Sequence, residues 1–179
     1  MLLTWRRPTY LEVLVNEEVR DLALVDAAVY DDVFLASRAV WDITRVRQLF
    51  FSRCKPESIG LSAVGGQLER VGPEEPRGLA LDLDPDFACK VRAAICPGLF
   101  ADVGVVKVRP MRPGVAVPVG LTPCVLALDG EREVEVRGEE CAAVRLAEDR
   151  LYVADVEKIL EYARQRGIFL RGAQVCYAN

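Results

Sequence analysis

The chain contains no histidine. That removes Ser-His-Asp and Cys-His nucleophilic pairs, histidine-held metals and imidazole proton transfer. Any chemistry has to rest on carboxylates, Lys, Tyr, Ser or Cys. Cysteine is present at Cys54, Cys89, Cys96, Cys124, Cys141 and Cys176, but no two are spaced Cys-x-x-Cys. A zinc or iron–sulfur centre therefore lacks its usual ligand frame, and no metal site is expected. Buried thiols are the expectation in a reducing compartment, and one or two disulfides would suit a hyperthermophile.

Long apolar runs are also missing, none reaching the roughly 18 residues that a membrane span requires. The opening Met-Leu-Leu-Thr-Trp-Arg-Arg is too short and too polar for a secretory leader. The expectation is a cytoplasmic protein with no membrane partner. There is no basic block either: the net charge is −4, with Arg and Glu interspersed, which argues against a nucleic-acid partner. Asparagine occurs only at Asn16 and Asn179, whereas charged residues make up 28% of the chain. Few amides and many charges suit a thermophile.

What the chain does contain is enough apolar material, 51% of 179 residues, for one domain spanning 1–179. Its most unusual stretch is Lys55 to Leu68, KPESIGLSAVGGQL, where Pro56, Ser58, Gly60, Ser62, Ala63, Gly65 and Gly66 crowd together. Paired glycines allow a close backbone approach. Pro56 suits a first helical turn, and Ser58 can accept from an unpaired amide there. The expectation is a helix over Glu57 to Leu68 whose small face receives either a nucleotide or another packed element.

Most of the remainder reads as strands. Pro8 to Val15 alternates, Asn16-Glu17 is a turn, and Val19 to Tyr30 resumes a strand with Asp26 embedded in LALVDAAV. A carboxylate in such a run either turns to solvent by strand alternation or is held for a purpose. Asp42 can cap a turn at Ile43, with Val46, Leu49 and Phe50 along one side of it. Periodicity alone does not settle whether Leu49 to Arg53 is helix or strand. Gly78 to Leu83, Lys90 to Ile95 and Val103 to Val108 alternate, punctuated by Cys96-Pro97-Gly98, Arg109-Pro110 and Arg112-Pro113-Gly114. Cys124 to Leu128 runs through the hairpin signal Asp129-Gly130 into Arg132 to Val136. Cys141 to Leu146 and Leu151 to Val153 follow. Asp155 caps a helix over Val156 to Arg166 that Gly167 ends, with Val156, Ile159, Leu160 and Ala163 as its apolar stripe. Ile168 to Tyr177 would add an edge strand or dock on a partner. The fold class is mainly β within α+β: a β-sandwich with a short glycine-rich helix and one C-terminal helix.

Four features then occur in a fixed order: ALVDAAV at Ala23 to Val29, AVWD ending at Asp42, PESIGLSAVGG at Pro56 to Gly66, and LALDGERE at Leu126 to Glu133. Together they resemble the C-terminal domain of the ATP-NAD kinase superfamily, closest to the branch containing acetoin catabolism protein X. The similarity extends from about Leu22 through Phe169. It implies a mostly β domain that holds much of an NAD or NADP site and makes oligomer contacts. The family's Asn-Glu pair, which reaches the NAD ribose, matches Val25-Asp26, keeping the acid and losing the amide. The family's Pro-Thr-Gly-Ser-Thr-Ala-Tyr start matches Pro56 to Ser62 without the aromatic residue, and its Ser-Ala-Gly-Gly is similar to Ser62 to Gly66. The implied cofactor-binding residues are Asp26, Pro56, Ser58, Ser62, Gly65 and Gly66, and Asp129-Gly130 resembles a structural late turn.

The superfamily's phosphate-binding Gly-Gly-Asp-Gly-Thr loop, borne by an N-terminal α/β domain, has no counterpart in this sequence, nor is there a P-loop or Gly-x-Gly-x-x-Gly. Phosphoryl transfer needs phosphates and metal held in line with the nucleophile. This polypeptide is therefore not expected to be a complete kinase, and no residue is assigned a catalytic role. The leading reading is a nucleotide-binding domain that assembles with itself or with a separate α/β kinase-domain chain. The alternative is a structural or oligomerisation module without a ligand. A third reading, a carboxylate hydrolase using Asp129 and Glu131, rests on two acids flanking a hairpin. Trp5 and Trp41 read as core or interface anchors.

Overall fold

A computed structural model describes residues 5–31 and 42–171. Trp41, Cys176 and the segment from Phe34 to Trp41 lie outside the described residues. The fold is mainly β, built on antiparallel pairing throughout its named strands. Strands β1 (Trp5–Arg6), β2 (Leu11–Val15), β3 (Glu18–Ala23), β4 (Asp26–Tyr30) and β5 (Val46–Phe51) precede helix α1 (Leu61–Leu68). After it come β6 (Gly78–Leu83), β7 (Lys90–Cys96), β8 (Leu99–Met111), β9 (Ala116–Pro118), β10 (Cys124–Leu128) and β11 (Arg132–Val136). The chain closes with β12 (Ala142–Leu146), β13 (Val153–Ala154) and α2 (Val156–Gln165).

A seven-stranded sheet has the order β11-β10-β4-β5-β6-β8-β7, a four-stranded sheet the order β3-β2-β12-β9, and β1 pairs with β13. The two larger sheets face each other across one core. Leu11, Val13, Val144 and Leu146 from the smaller sheet meet Val29, Phe50, Leu126 and Leu128 from the larger. The opposite face of the larger sheet carries a second core, in which Leu49, Phe51, Leu79 and Leu81 pack with Ala63 and Val64 of α1. Strands β4 and β5 are thus buried on both faces, which is why they read as nearly continuous apolar runs. Each fully buried Phe or Leu here contributes roughly 2–3 kcal/mol of burial.

Local chemistry explains most of the boundaries. Asn16 and Glu17 both take positive φ, 53° and 69°, and join β2 to β3 as a two-residue hairpin turn. Asp42 accepts from the Thr44 amide at 3.0 Å and starts a single 3-10 turn, Ile43–Arg45. That turn gives way at once to β5, so Val46, Leu49 and Phe50 are strand residues rather than one side of a helix. The expected helix over Glu57 to Leu68 is shorter than its pattern. Gly60 at φ 91° and ψ −157° is its N-cap, and Pro56 and Ser58 lie in the loop before it. Ser58 caps no helix; its amide donates to the Lys55 carbonyl at 3.0 Å and closes a turn.

Strand β8 runs through Arg109-Pro110, which the pattern marks as a break. Pro110 pairs with Leu79 of β6, while β7 reaches only as far as Gly104, so the missing N–H falls where β8 has no strand on its far side. Gly78–Leu83 and Arg132–Val136 fall on the expected residues, and on β11 Val134 and Val136 are buried while Glu133 and Glu135 are exposed. Trp5 is exposed rather than buried in a core. The described part of Ile168 to Tyr177, residues 168–171, contains no strand.

Asp155 caps α2 by accepting from the Lys158 amide at 3.2 Å, and Gly167 at φ 63° follows its end. Although its carboxylate is only 2% exposed, it is paired with Arg6 at 3.0 Å and Lys158 at 3.4 Å. The Arg6 guanidinium, with these other donors, holds the Asp155 carboxyl down to about 2. A carboxyl lowered by folding contributes stability that is present above its ordinary value of 3.8 and is lost as pH falls through about 2. The difference in unfolding midpoint between wild type and Asp155→Asn is therefore expected to shrink as pH drops from about 4 to about 2, while staying constant from about pH 5 to 8. A difference that is the same at about pH 2 and about pH 7 would contradict this.

Candidate functional site

The residues singled out in the sequence converge at one end of the seven-stranded sheet. Strand β4 begins at Asp26, which pairs with Phe51 at the end of β5. Just beyond that pair, Ser52 donates its amide to the Val25 carbonyl at 2.9 Å and its hydroxyl to the Leu24 carbonyl at 2.7 Å. The hairpin between β10 and β11 arrives beside them. One Asp129 carboxylate accepts from the amides of Leu24 at 2.7 Å, Val25 at 2.7 Å and Asp26 at 3.2 Å. Asp129 is thus a clamp on the entry to β4, which accounts for its carboxylate without any hydrolytic partner.

The chain leaves β5 as the extended segment 53–55, loops through Pro56 and Ser58, and returns as α1 across the face bearing Phe51. The amide of Gly60 donates to the Ala94 carbonyl of β7 at 2.9 Å, pinning the helix start. Gly65 and Gly66 are both buried. A side chain at Gly65 would meet the Phe51 ring at 2.8 Å, and one at Gly66 would meet the Lys55 carbonyl oxygen at 2.0 Å. The close approach that the paired glycines allow is therefore to the body of the protein. It brings Ser62, near the start of α1, against the sheet end, and the Ser62 hydroxyl donates to Asp26 Oδ2 at 2.8 Å.

Burial raises the Asp26 carboxyl above its ordinary 3.8; the Asp129 charge adds to the rise, while the Ser62 hydroxyl and the Arg53 charge oppose it. An acid embedded in an apolar strand is thus neither turned out to solvent nor left without a partner. It orients a serine by accepting its hydroxyl hydrogen, leaving the Ser62 oxygen lone pairs for a donor on the other side.

That other side is a cleft of about 420 Å³, whose lining includes Thr9, Arg53, Lys55, Ser58, Ser62 and Leu151. This lies within the ~300–1,000 Å³ usual for small-molecule sites. Of the expected binding residues, Ser58 and Ser62 line it. Asp26 stands behind Ser62, Pro56 lies in the adjoining loop, and Gly65 and Gly66 support the helix from beneath. Arg53 and Lys55 were not singled out from the sequence. The signal that would have found them is their i, i+2 spacing, which in an extended segment places both on one face. Burial raises the Cys54 thiol to about 11, so it is not a nucleophile at neutral pH. Cys54, Cys89, Cys96, Cys124 and Cys141 are all free thiols. Among the described residues no group of three or more Cys, Asp or Glu is arranged to hold a metal, and no helix is long and apolar enough to cross a membrane.

Residues 9–149 match the family model described as acetoin catabolism protein X C-terminal domain. Acetoin catabolism protein X of Cupriavidus necator is 34% identical over 148 residues, covering 80% of this chain and 41% of the relative. The chain spans about two-fifths of the length of that curated relative, and the residues matched by the family model contain both Asp26 and the 52–66 segment that builds the cleft. The chain belongs to the acetoin catabolism protein X C-terminal domain family.

Proposed function

We propose that this chain is a nucleotide-binding domain of an ATP-NAD kinase-like assembly, taking NAD, NADP or a related nucleotide in the cleft beside α1. The observation that carries the reading is the Asp26–Ser62 hydrogen bond at the wall of that cleft. A carboxylate holding a serine hydroxyl makes a fixed acceptor, the chemistry that a ribose hydroxyl or a carboxamide N–H requires. Apolar Leu24, Val25, Leu151 and Val153 in the same lining offer a surface for a base or nicotinamide ring. The sequence carries no phosphate-gripping glycine loop, so phosphoryl transfer would need a further α/β domain, from a separate chain or a longer one.

Isothermal titration with NAD, NADP and ATP tests the reading. Saturable heat is expected for at least one of them, and Asp26→Ala should weaken it about tenfold, the equivalent of one hydrogen bond of about 1.4 kcal/mol. No heat with any of the three at millimolar concentration would overturn the proposal.

One observation favours a second reading, in which the chain assembles with copies of itself. On α2 the stripe residues Val156 and Leu160 are exposed, 60% and 50%, and Ile168 and Phe169 after the helix are exposed as well. Such a face suits a protein contact. Light scattering decides this independently of ligand, since a monomer throughout the micromolar range would remove it.

A further inference from the structure

The cleft has a charge asymmetry that neither the serine–carboxylate pair nor the apolar wall uses. Among the described residues its lining contains Arg6, Arg53 and Lys55 and no Asp or Glu, in a protein that carries 27 acidic and 23 basic residues overall. Arg6 is already committed, with its guanidinium on Asp155 at 3.0 Å and Glu157 at 3.2 Å. The side chains of Arg53 and Lys55 enter none of the ion pairs among the described residues, and Arg53 is felt only as a pull on the Asp26 carboxyl behind Ser62. Arg53 and Lys55 both line the cleft. The turn closed by the Ser58 amide on the Lys55 carbonyl brings the Ser58 hydroxyl to the same rim. Two partly buried positive charges with a neutral donor beside them, and no carboxylate in the lining among the described residues, favour an anion in the concavity.

We propose that Arg53, Lys55 and Ser58 form an anion subsite that takes a phosphoryl or pyrophosphoryl group of the ligand. This deepens the nucleotide reading and rests on it for the remainder of the ligand, but not for the anion itself. Arg53 supplies a planar fork for two oxygens, Lys55 a point charge, and Ser58 a hydroxyl donor. In this arrangement the phosphoryl group holds one end of the ligand at the rim while Ser62 accepts from its sugar or amide further in. The subsite positions charge and performs no transfer.

The test uses the full chain with three probes: AMP, adenosine and inorganic pyrophosphate, each titrated at low and high salt. Wild type should bind AMP more tightly than adenosine and should bind pyrophosphate alone, with both anions weakened by salt. Arg53→Gln and Lys55→Gln should each weaken AMP and pyrophosphate about fivefold to tenfold and leave adenosine unchanged. Neither side chain holds an ion pair among the described residues, so unchanged melting temperatures would verify that both variants are folded. Pyrophosphate that binds wild type and the double variant equally, or that binds neither, overturns the subsite. AMP that binds the Arg53→Gln/Lys55→Gln double variant as tightly as wild type leaves the nucleotide reading standing and removes this one. Pyrophosphate binding without any nucleotide binding supports the subsite and removes the nucleotide reading.

Discussion

Gly66→Ala is expected to destabilise the protein by about 3 kcal/mol or more, beyond the usual 1–3 kcal/mol of an overpacked core. At roughly 2–4 °C per kcal/mol for a chain of this size, the melting temperature should fall by about 6–12 °C. Helix propensity alone points the other way, since alanine is favoured over glycine in a helix interior by about 1 kcal/mol. Sterics decide the sign. The new methyl carbon would sit 2.0 Å from the Lys55 carbonyl oxygen, 2.2 Å from its carbon and 2.8 Å from the Pro56 nitrogen. All three are backbone atoms, so no side chain can swing aside, and α1 must lift from the loop. Lifting it would break the Ser62 contact with Asp26 and the Gly60 contact with Ala94, so the cleft should be lost together with the stability. Gly65→Ala is a graded control. Its methyl would meet the Phe51 ring at 2.8 Å and Cys54 Sγ at 3.1 Å, both side-chain atoms, and a smaller loss is expected. A Gly66→Ala melting curve that overlays wild type would show that α1 does not lie this close to the Lys55 carbonyl.

The same helix shows how much of this molecule could be read from residue order. Where one side of a strand meets solvent, alternation carried the information, and Arg132–Val136 was legible to the residue; Gly78–Leu83, buried on both faces, was legible from its short apolar length and the glycine that opens it. Strand β5 was not, because burial on both faces leaves VRQLFF without a period. The start of α1 was masked in another way. Pro56 and Ser58 are good first-turn residues, but Gly60 adopts φ 91°, which a residue within a right-handed helix cannot. Whether a glycine uses that freedom is set by what its neighbours dock against, here the Ala94 carbonyl. The site was half legible. The acid in the apolar run and the small-residue stretch both stood out, but Asp26 and Ser62 are 36 residues apart, and it takes the pairing of β4 with β5 and the packing of α1 against the sheet to bring them to 2.8 Å. The family resemblance supplied that juxtaposition in advance, whereas composition and spacing did not. The role of the two glycines emerged only from the packing, which shows them to be spacers beneath the site.

Asp129→Ala should rank second only to Gly66→Ala in damage, costing about 2–4 kcal/mol. Each buried amide left without an acceptor costs about 1–3 kcal/mol, and bonds to a charged group lie at the upper end of the net scale. The carboxylate serves the amides of Leu24, Val25 and Asp26, of which the last two are partly buried. Leu24 is exposed, so water can replace its acceptor, which keeps the cost below three full penalties. Asp129→Asn separates charge from geometry. Asparagine tolerates the positive φ of 53° at this position, retains one acceptor oxygen and should cost about half as much. It also removes a negative charge that helps raise the Asp26 carboxyl, so Asp26 in the Asn variant should titrate closer to its ordinary value, while burial still holds it above. Urea unfolding gives the stabilities, and a carbon-detected NMR titration of the Asp26 carboxyl gives the second effect. An Asn variant in which Asp26 titrates at a higher pH than in wild type would mean that the hairpin does not deliver its charge to the site. Equal stabilities for the Ala variant and wild type would mean that the turn entering β4 is held by something other than Asp129.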